Sequence, residues 1–279
     1  MSRLQLLVVL CLALVAFAAN SVLCRLALGG GSIAAGAFTA IRICSGALAL
    51  LLLVRGRSVS LDPRRWLAAV MLFGYAACFS FAYLELTAGA GALLLFGAVQ
   101  VTMLAGGLIA GERPAARAWF GWAVACAGLV YLVAPGVEAP ALRGAGLMAA
   151  AGLAWGVYSL LGKGSSDPVT DTARNFVLAA PMSIGLFLAT YKMSGVAHWN
   201  GVAYAVVSGA ITSGLGYVIW YVALRHITSV SAAIAQLSVP VLAAVGGVGV
   251  LSEAISGRLA VSAVVILGGV AVGLSAKRP

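Results

Sequence analysis

The sequence has very few charged residues. Only 9% of its 279 residues are Asp, Glu, Lys or Arg, and 63% are hydrophobic, whereas a soluble domain carries about a quarter charged residues. A chain of this composition lacks the polar side chains that would cover a globular surface in water. The shortage of charge therefore excludes an ordinary soluble protein and predicts that the chain lies in a lipid bilayer.

Acidic residues and histidines are scarcer still, with seven Asp and Glu and two His. All nine lie in predicted connections or at the ends of apolar runs. Proton-coupled carriers commonly use an acidic or histidine side chain within the membrane, and an enzyme needs a cluster of nucleophiles, metal ligands or carboxylates. We therefore expect no catalytic residue, no metal site, no other cofactor and no coupling ion.

Apolar runs divide the chain into ten segments of membrane-spanning length. An α-helix rises 1.5 Å per residue, so about 20 residues cross the ~30 Å of hydrocarbon. The predicted spans are Leu4–Leu23, Ile33–Val54, Trp66–Leu84, Ala88–Ala110, Ala115–Val133, Gly144–Leu161, Ala173–Tyr191, Gly201–Tyr221, Ser229–Leu251 and Leu259–Ser275. The predicted fold class is all-α, a polytopic membrane protein with ten transmembrane helices.

Basic residues are distributed unevenly between the two sides of these spans. If the N-terminus is cytoplasmic, most basic residues face the cytoplasm: Arg3, Arg55, Arg57, Arg64, Arg65, Arg113, Arg117, Lys163, Arg174, Arg225, Lys277 and Arg278. The opposite side has Arg25, Arg143, Lys192 and Arg258. This bias predicts that both termini are cytoplasmic. It also accounts for the net charge of +10 without a nucleic-acid partner.

The two halves of the sequence resemble each other. At an offset of 138 residues Phe17 coincides with Trp155, Ser21 with Ser159 and Phe79 with Tyr217. Five spans per copy is an odd number, so the second copy enters the membrane in the opposite sense. We therefore predict two inverted five-helix repeats, residues 1–138 and 139–279, an arrangement found in secondary transporters. The first span also fits a cleavable secretory signal, but its counterpart in the second copy favours a helix of the fold.

Aromatic residues recur on single faces of several spans. Tyr75 and Phe79 are four residues apart in the third span, Trp155 and Tyr158 share a face of the sixth, and Tyr217 lies in the eighth. If these rings converge, they offer a stacking surface to an aromatic or amphipathic solute. Helix packing and the interfacial aromatic belt are the alternative explanations.

Uncharged polar residues also occur at membrane depth, namely Asn20, Gln100, Gln236 and Ser238. An unsatisfied amide in hydrocarbon costs several kcal/mol, so such a side chain faces protein or water. We interpret these four residues as candidate substrate ligands. Hydrogen bonding between helices is the alternative.

Charged residues near the spans have two predicted roles. Arg42 lies well inside the second span, where a cation is a functional hypothesis by default. It either attracts a substrate carboxylate or pairs with backbone carbonyls or with Glu85. Glu112 and Glu253 are predicted to cap the helices that follow them, the fifth and the tenth.

Arg42, the Gly111–Glu112 and Ser252–Glu253 pairs and the duplicated five-helix unit point to a family. The chain resembles the drug/metabolite transporter (DMT) superfamily over essentially its whole length, in particular its EamA-like ten-helix exporters. Within these it is most similar to the bacterial aromatic amino-acid exporters. The resemblance implies a multi-pass carrier of the bacterial inner membrane with a central cavity between the two halves.

We therefore expect a transporter and not an enzyme. It would export aromatic or apolar amino acids, or related small metabolites, by alternating access and without a coupling ion. Its expected partners are a small-molecule substrate and the lipid bilayer, and the protein is expected to act as a monomer. The alternative is a multidrug, organic-cation or nucleotide-sugar carrier, with or without proton coupling.

Overall fold

The computed structural model describes residues 1–55, 66–109, 115–134, 136, 139–162, 165–191, 197–227, 235–236 and 238–275. Within these ranges the chain is helical and has no strand. The helices are α1 Arg3–Gly29, α2 Ala35–Leu53, α3 Trp66–Ala82, α4 Ala88–Ile109, α5 Ala116–Val133, α6 Leu142–Gly162, α7 Pro168–Thr190, α8 Trp199–Leu224, α9 Ser238–Leu251 and α10 Gly257–Leu274. The predicted all-α, ten-helix class is confirmed.

The helices have the length and the surface of membrane spans. Six of them, α1, α2, α4, α6, α7 and α8, are long and apolar enough to cross a bilayer, and the other four are shorter apolar helices. Large apolar side chains face outward, including Leu4 and Val264, each 73% exposed. Such a surface is stable in lipid and unstable in water. The chain is therefore a multi-pass membrane protein.

Two helices extend beyond their predicted spans by five residues or more. Helix α1 continues past Leu23 to Gly29, although it carries Arg25, because the Arg25 side chain forms an ion pair with Glu253. Helix α7 begins at Pro168 instead of Ala173. Its start is fixed by proline in the first turn and by a hydrogen bond from the Thr170 N–H to the side chain of Asp167.

Neighbouring helices come mainly from opposite halves of the chain. Helix α5 packs against α10, α2 against α7, and α4 against α9. Helices α3 and α4 pack against α6, as α8 and α9 pack against α1. If each helix of residues 1–138 is exchanged with the helix five places later in the chain, α1 with α6 for example, the same pairs of helices are in contact. A twofold relation between the two halves would give this pattern.

Glycines allow some of these helices to approach closely. A Cβ atom placed on Gly269 of α10 would lie 2.7 Å from the backbone oxygen of Gly121 in α5. One placed on Gly152 of α6 would lie 2.5 Å from the backbone oxygen of Leu95 in α4. Both distances are too short for any side chain, so the backbones of these helix pairs are in direct contact.

Two carboxylates cap helices of the opposite half. Glu253, between α9 and α10, accepts a hydrogen bond from the Ala88 N–H at the start of α4 (2.8 Å) and pairs with Arg25 of α1 (3.0 Å). Glu85, between α3 and α4, accepts from the Gly144 N–H in the first turn of α6 (2.8 Å). The positive end of each helix thus meets a carboxylate from the other half.

These contacts correct two predictions about the charged residues. Glu253 caps α4, and α10 is capped instead by Ser256, whose hydroxyl accepts from the Leu259 N–H (3.1 Å). Glu85 lies at the start of α6 and not beside Arg42. Glu112 is outside the described residues.

Candidate substrate-binding site

Aromatic side chains from four helices meet in the centre of the protein. We call them the aromatic cluster: Phe17 of α1, Tyr75 and Phe79 of α3, Trp155 and Tyr158 of α6, and Tyr217 of α8. The Trp155 ring centroid lies 4.6 Å from that of Tyr217, 5.1 Å from Tyr75 and 5.7 Å from Phe17. All six rings are buried, and most pairs are tilted or edge-on, the arrangements that ring quadrupoles favour.

The spacing of these residues along each helix explains why they converge. Tyr75 and Phe79 are one turn apart on α3, and Trp155 and Tyr158 are close to one turn apart on α6. Because α3 packs against α6, and α8 packs against α1, these faces meet where the two halves join. The five aromatic residues singled out in the sequence are thus all members of one cluster.

A buried cation lies against the aromatic cluster. Arg42 is the eighth of the 19 residues of α2, about 10 Å along the axis from its start, and it is 1% exposed. Its Nη2 donates to the hydroxyls of Tyr75 and Tyr217, both at 3.1 Å, and its Nε donates to the hydroxyl of Ser213 at 3.1 Å. Its guanidinium carbon also lies 4.9 Å from the Phe79 ring centroid, a cation–π contact.

The remaining nitrogen of this guanidinium has no partner among the described residues. Within the described part of the chain, Nη1 of Arg42 is buried and makes no hydrogen bond, and the groups that receive its other N–H groups are uncharged hydroxyls. An uncompensated cation in a low-dielectric interior is unfavourable. The arrangement therefore favours binding of an anion with an acceptor atom near Nη1.

Asn20 links three helices beside Arg42. Its Nδ2 donates to the Tyr75 hydroxyl (3.2 Å), and its Oδ1 accepts from the hydroxyls of Ser208 (2.6 Å) and Thr212 (3.2 Å). Ser208 and Thr212 lie in a π-helical stretch of α8, Ser208–Leu215, which also carries Ser213. Wide turns of this kind are frequent at functional sites.

The other polar candidates are Gln100, Gln236 and Ser238. Gln100 of α4 is buried. Gln236 is 1% exposed, and neither its amide oxygen nor its amide nitrogen has a hydrogen-bond partner among the described residues. Ser238 is exposed, and its hydroxyl donates to the carbonyl of Ala235 in its own segment (2.8 Å); its role as a substrate ligand stays a prediction.

Sequence reasoning missed four residues of this site. Phe17 joins the aromatic cluster, and Ser208, Thr212 and Ser213 contact Asn20 or Arg42. Ser208, Thr212 and Ser213 could have been identified from the run Ser208–Leu215, in which Ser, Thr and Gly interrupt an otherwise apolar span. A run of small and hydroxyl residues at that depth indicates a polar, closely packed interface.

Comparison with known proteins places the second half of the chain in a family. Residues 142–274, from the start of α6 to the end of α10, match the EamA-like transporter family. The chain is also 49% identical over 269 residues to an uncharacterized protein of Pseudomonas aeruginosa, which covers 95% of this chain and 92% of that protein. The second half of this chain is therefore an EamA-like domain.

Two further similarities agree with this assignment. The chain is 29% identical over 219 residues to an uncharacterized transporter of Archaeoglobus fulgidus, which covers 73% of this chain and 74% of that protein. A crystal structure of another protein superimposes with a TM-score of 0.68 at 20% identity and covers 98% of both chains. That superposition shows that the fold is shared, and the family match over residues 142–274 supports a transporter role for the chain.

Proposed function

We propose that this EamA-like transporter exports aromatic or apolar amino acids across the bacterial inner membrane, with both termini in the cytoplasm and the protein acting as a monomer. The observation that carries the proposal is the Nη1 group of Arg42, a buried cationic donor without a partner among the described residues. A substrate carboxylate would supply both the missing acceptor and the missing negative charge.

The surroundings of Arg42 suggest what the rest of the substrate is. Tyr75, Phe79 and Tyr217 contact the guanidinium and continue into the aromatic cluster. A carboxylate bound at Nη1 would therefore place the substrate side chain against aromatic rings, which stack on other rings and on apolar groups. An organic cation is disfavoured at this position because it would meet the positive charge of Arg42.

Movement of substrate by alternating access fits the way the helices pack. The aromatic cluster lies between residues 1–138 and 139–279, and the helix neighbours are symmetric under exchange of these halves. Two inverted repeats would give such symmetry and would provide one arrangement open to each side of the membrane. The contact pattern supports this mechanism for the EamA-like chain.

The location of the carboxylates supports transport without a coupling ion. The four described carboxylates, Glu85, Asp167, Asp171 and Glu253, all lie at or beside helix ends. A proton relay through the membrane uses titratable groups within it. We therefore propose that the substrate moves down its own gradient.

Reconstitution into proteoliposomes tests the proposal. We expect protein-dependent uptake of labelled tryptophan and phenylalanine that is faster than uptake of threonine. Rates that are equal for all three and independent of the protein would overturn the assignment of substrate. Uphill transport after a pH step would contradict the absence of a coupling ion.

A further inference from the structure

A small cavity lies next to the aromatic cluster, on the side away from Arg42 along α8. Trp220, which lines it, is three residues beyond Tyr217, about 4.5 Å further along the helix axis. Its ring centroid is 5.5 Å from that of Phe17, a member of the cluster. The cavity is also lined by Ser159 of α6 and by Gln236, and it has room for about one water-sized group.

Three polar side chains that line this cavity have unpaired atoms. Within the described residues no partner exists for the Ser159 hydroxyl, the Trp220 Nε1–H, or the amide oxygen and nitrogen of Gln236. All three residues are at least nine-tenths buried, with exposures of 5%, 1% and 1%. Each buried polar group left without a partner costs about 1–3 kcal/mol, so four such atoms around one space indicate a site for a polar ligand group.

The chemistry of the lining defines that group. The indole N–H is a donor, and the hydroxyl and the carboxamide each donate and accept. The rest of the lining is apolar, including Met103, Leu160 and Leu224, and the described lining residues carry no charge. A charged ligand group would find no counter-charge here. An uncharged group that both donates and accepts hydrogen bonds would satisfy all three side chains.

We propose that this cavity is the neutral end of the substrate site and receives a small uncharged group that both donates and accepts hydrogen bonds, such as a hydroxyl, at the far end of the substrate side chain. The inference rests on the proposed function, in which the substrate carboxylate pairs with Arg42. The site would then favour amino acids whose side chains are aromatic near the backbone and polar at the tip.

Tyrosine and phenylalanine are the probes that test this inference, because they differ by one hydroxyl. In proteoliposomes containing the full chain we expect a lower KM for tyrosine than for phenylalanine. Ser159→Ala and Gln236→Leu should each lower the tyrosine-to-phenylalanine ratio of kcat/KM by roughly five- to tenfold, the effect of losing a neutral hydrogen bond and leaving its partner unpaired. Phenylalanine lacks the hydroxyl, so its kcat/KM should fall less than that of tyrosine.

Ser80→Ala is the matched control, since Ser80 is fully buried but its hydroxyl donates to the Ala76 carbonyl of its own helix (2.8 Å). It should leave the ratio unchanged. Both substrates are measured in the same protein preparation, so a lower yield of folded variant does not affect the tyrosine-to-phenylalanine ratio. If Ser159→Ala or Gln236→Leu fails to fold, Trp220→Phe takes its place.

Each outcome of this experiment decides between the two proposals. Protein-dependent flux with the same ratio in the wild type and the variants would overturn the neutral subsite alone, as would be expected if the cavity held only water. Absence of protein-dependent flux of both amino acids would overturn the proposed function as well.

Discussion

Arg42→Met removes the buried cation of α2 and keeps an unbranched side chain. In the proposed complex, Nη1 of Arg42 donates to the substrate carboxylate, and a hydrogen bond between charged partners contributes about 1.5–3 kcal/mol. Its loss corresponds to a fall in kcat/KM of about 10- to 150-fold. Arg42→Lys keeps the charge but replaces the planar guanidinium by a compact ammonium, so we expect a smaller fall for this variant.

The same substitution should not destabilise the protein. Arg42 donates to three uncharged hydroxyls, those of Ser213, Tyr75 and Tyr217, so its removal leaves no unpaired charge among these partners. Burial of an ion costs several kcal/mol, and replacing a buried charge by an apolar residue is often neutral or stabilising. We therefore expect the Arg42→Met protein to melt in detergent at the wild-type temperature or above.

Paired substrates provide the assay for Arg42. Phenylalanine and phenethylamine share a ring and an amine, and only phenylalanine carries a carboxylate. We expect Arg42→Met to lower phenylalanine transport in proteoliposomes and to leave phenethylamine transport unchanged or faster. The reasoning about Nη1 would be refuted by a well-folded Arg42→Met protein whose ratio of phenylalanine to phenethylamine transport equals that of the wild type.

Three further predictions concern folding and topology. Gly269→Ala should lower the free energy of unfolding by about 1–3 kcal/mol through overpacking against Gly121. In the control Gly268→Ala, the new Cβ meets no atom within 4 Å, so the melting temperature should stay nearly unchanged. Equal melting temperatures for the two variants would contradict the close α5–α10 contact. Glu253→Ala should destabilise the protein by about 1–2 kcal/mol because α4 loses its cap, and Glu253→Gln should destabilise it less. Thermal unfolding in detergent measures both effects. An unchanged melting temperature for Glu253→Ala would exclude this cap as a stabilising contact. Reporter fusions after Ser32 and after Asp167 should be found on opposite sides of the membrane, and finding both on one side would refute the inverted repeats.

Most of the architecture could be predicted from composition and periodicity. Apolar runs of bilayer length located the ten helices, because in lipid a backbone must satisfy its hydrogen bonds within each helix. The ends were less predictable. The Asp167–Pro168 pair at the start of α7 was a readable helix-start signal, but the extension of α1 past Arg25 depends on Glu253, which is distant in sequence.

The candidate site was predictable where it depends on helix periodicity. Tyr75 with Phe79, and Trp155 with Tyr158, share faces of their helices, so their convergence followed from spacing and from the apparent duplication. The partners of Arg42 were not predictable, because they come from α3 and α8 and depend on how three helices pack. The π-helical stretch of α8 has wider turns than an α-helix, and these turns place Ser208, Thr212 and Ser213 inward. The regular α-helical period does not predict this change.

The exchange of carboxylates between the halves bears on whether either half can exist by itself. A fragment ending before residue 139 would expose the Ala88 N–H without Glu253, and a fragment beginning there would expose the Gly144 N–H without Glu85. We expect separately expressed halves to be short-lived in the membrane and to be rescued by co-expression, so that a gene for one half could persist in evolution only beside a matching second copy.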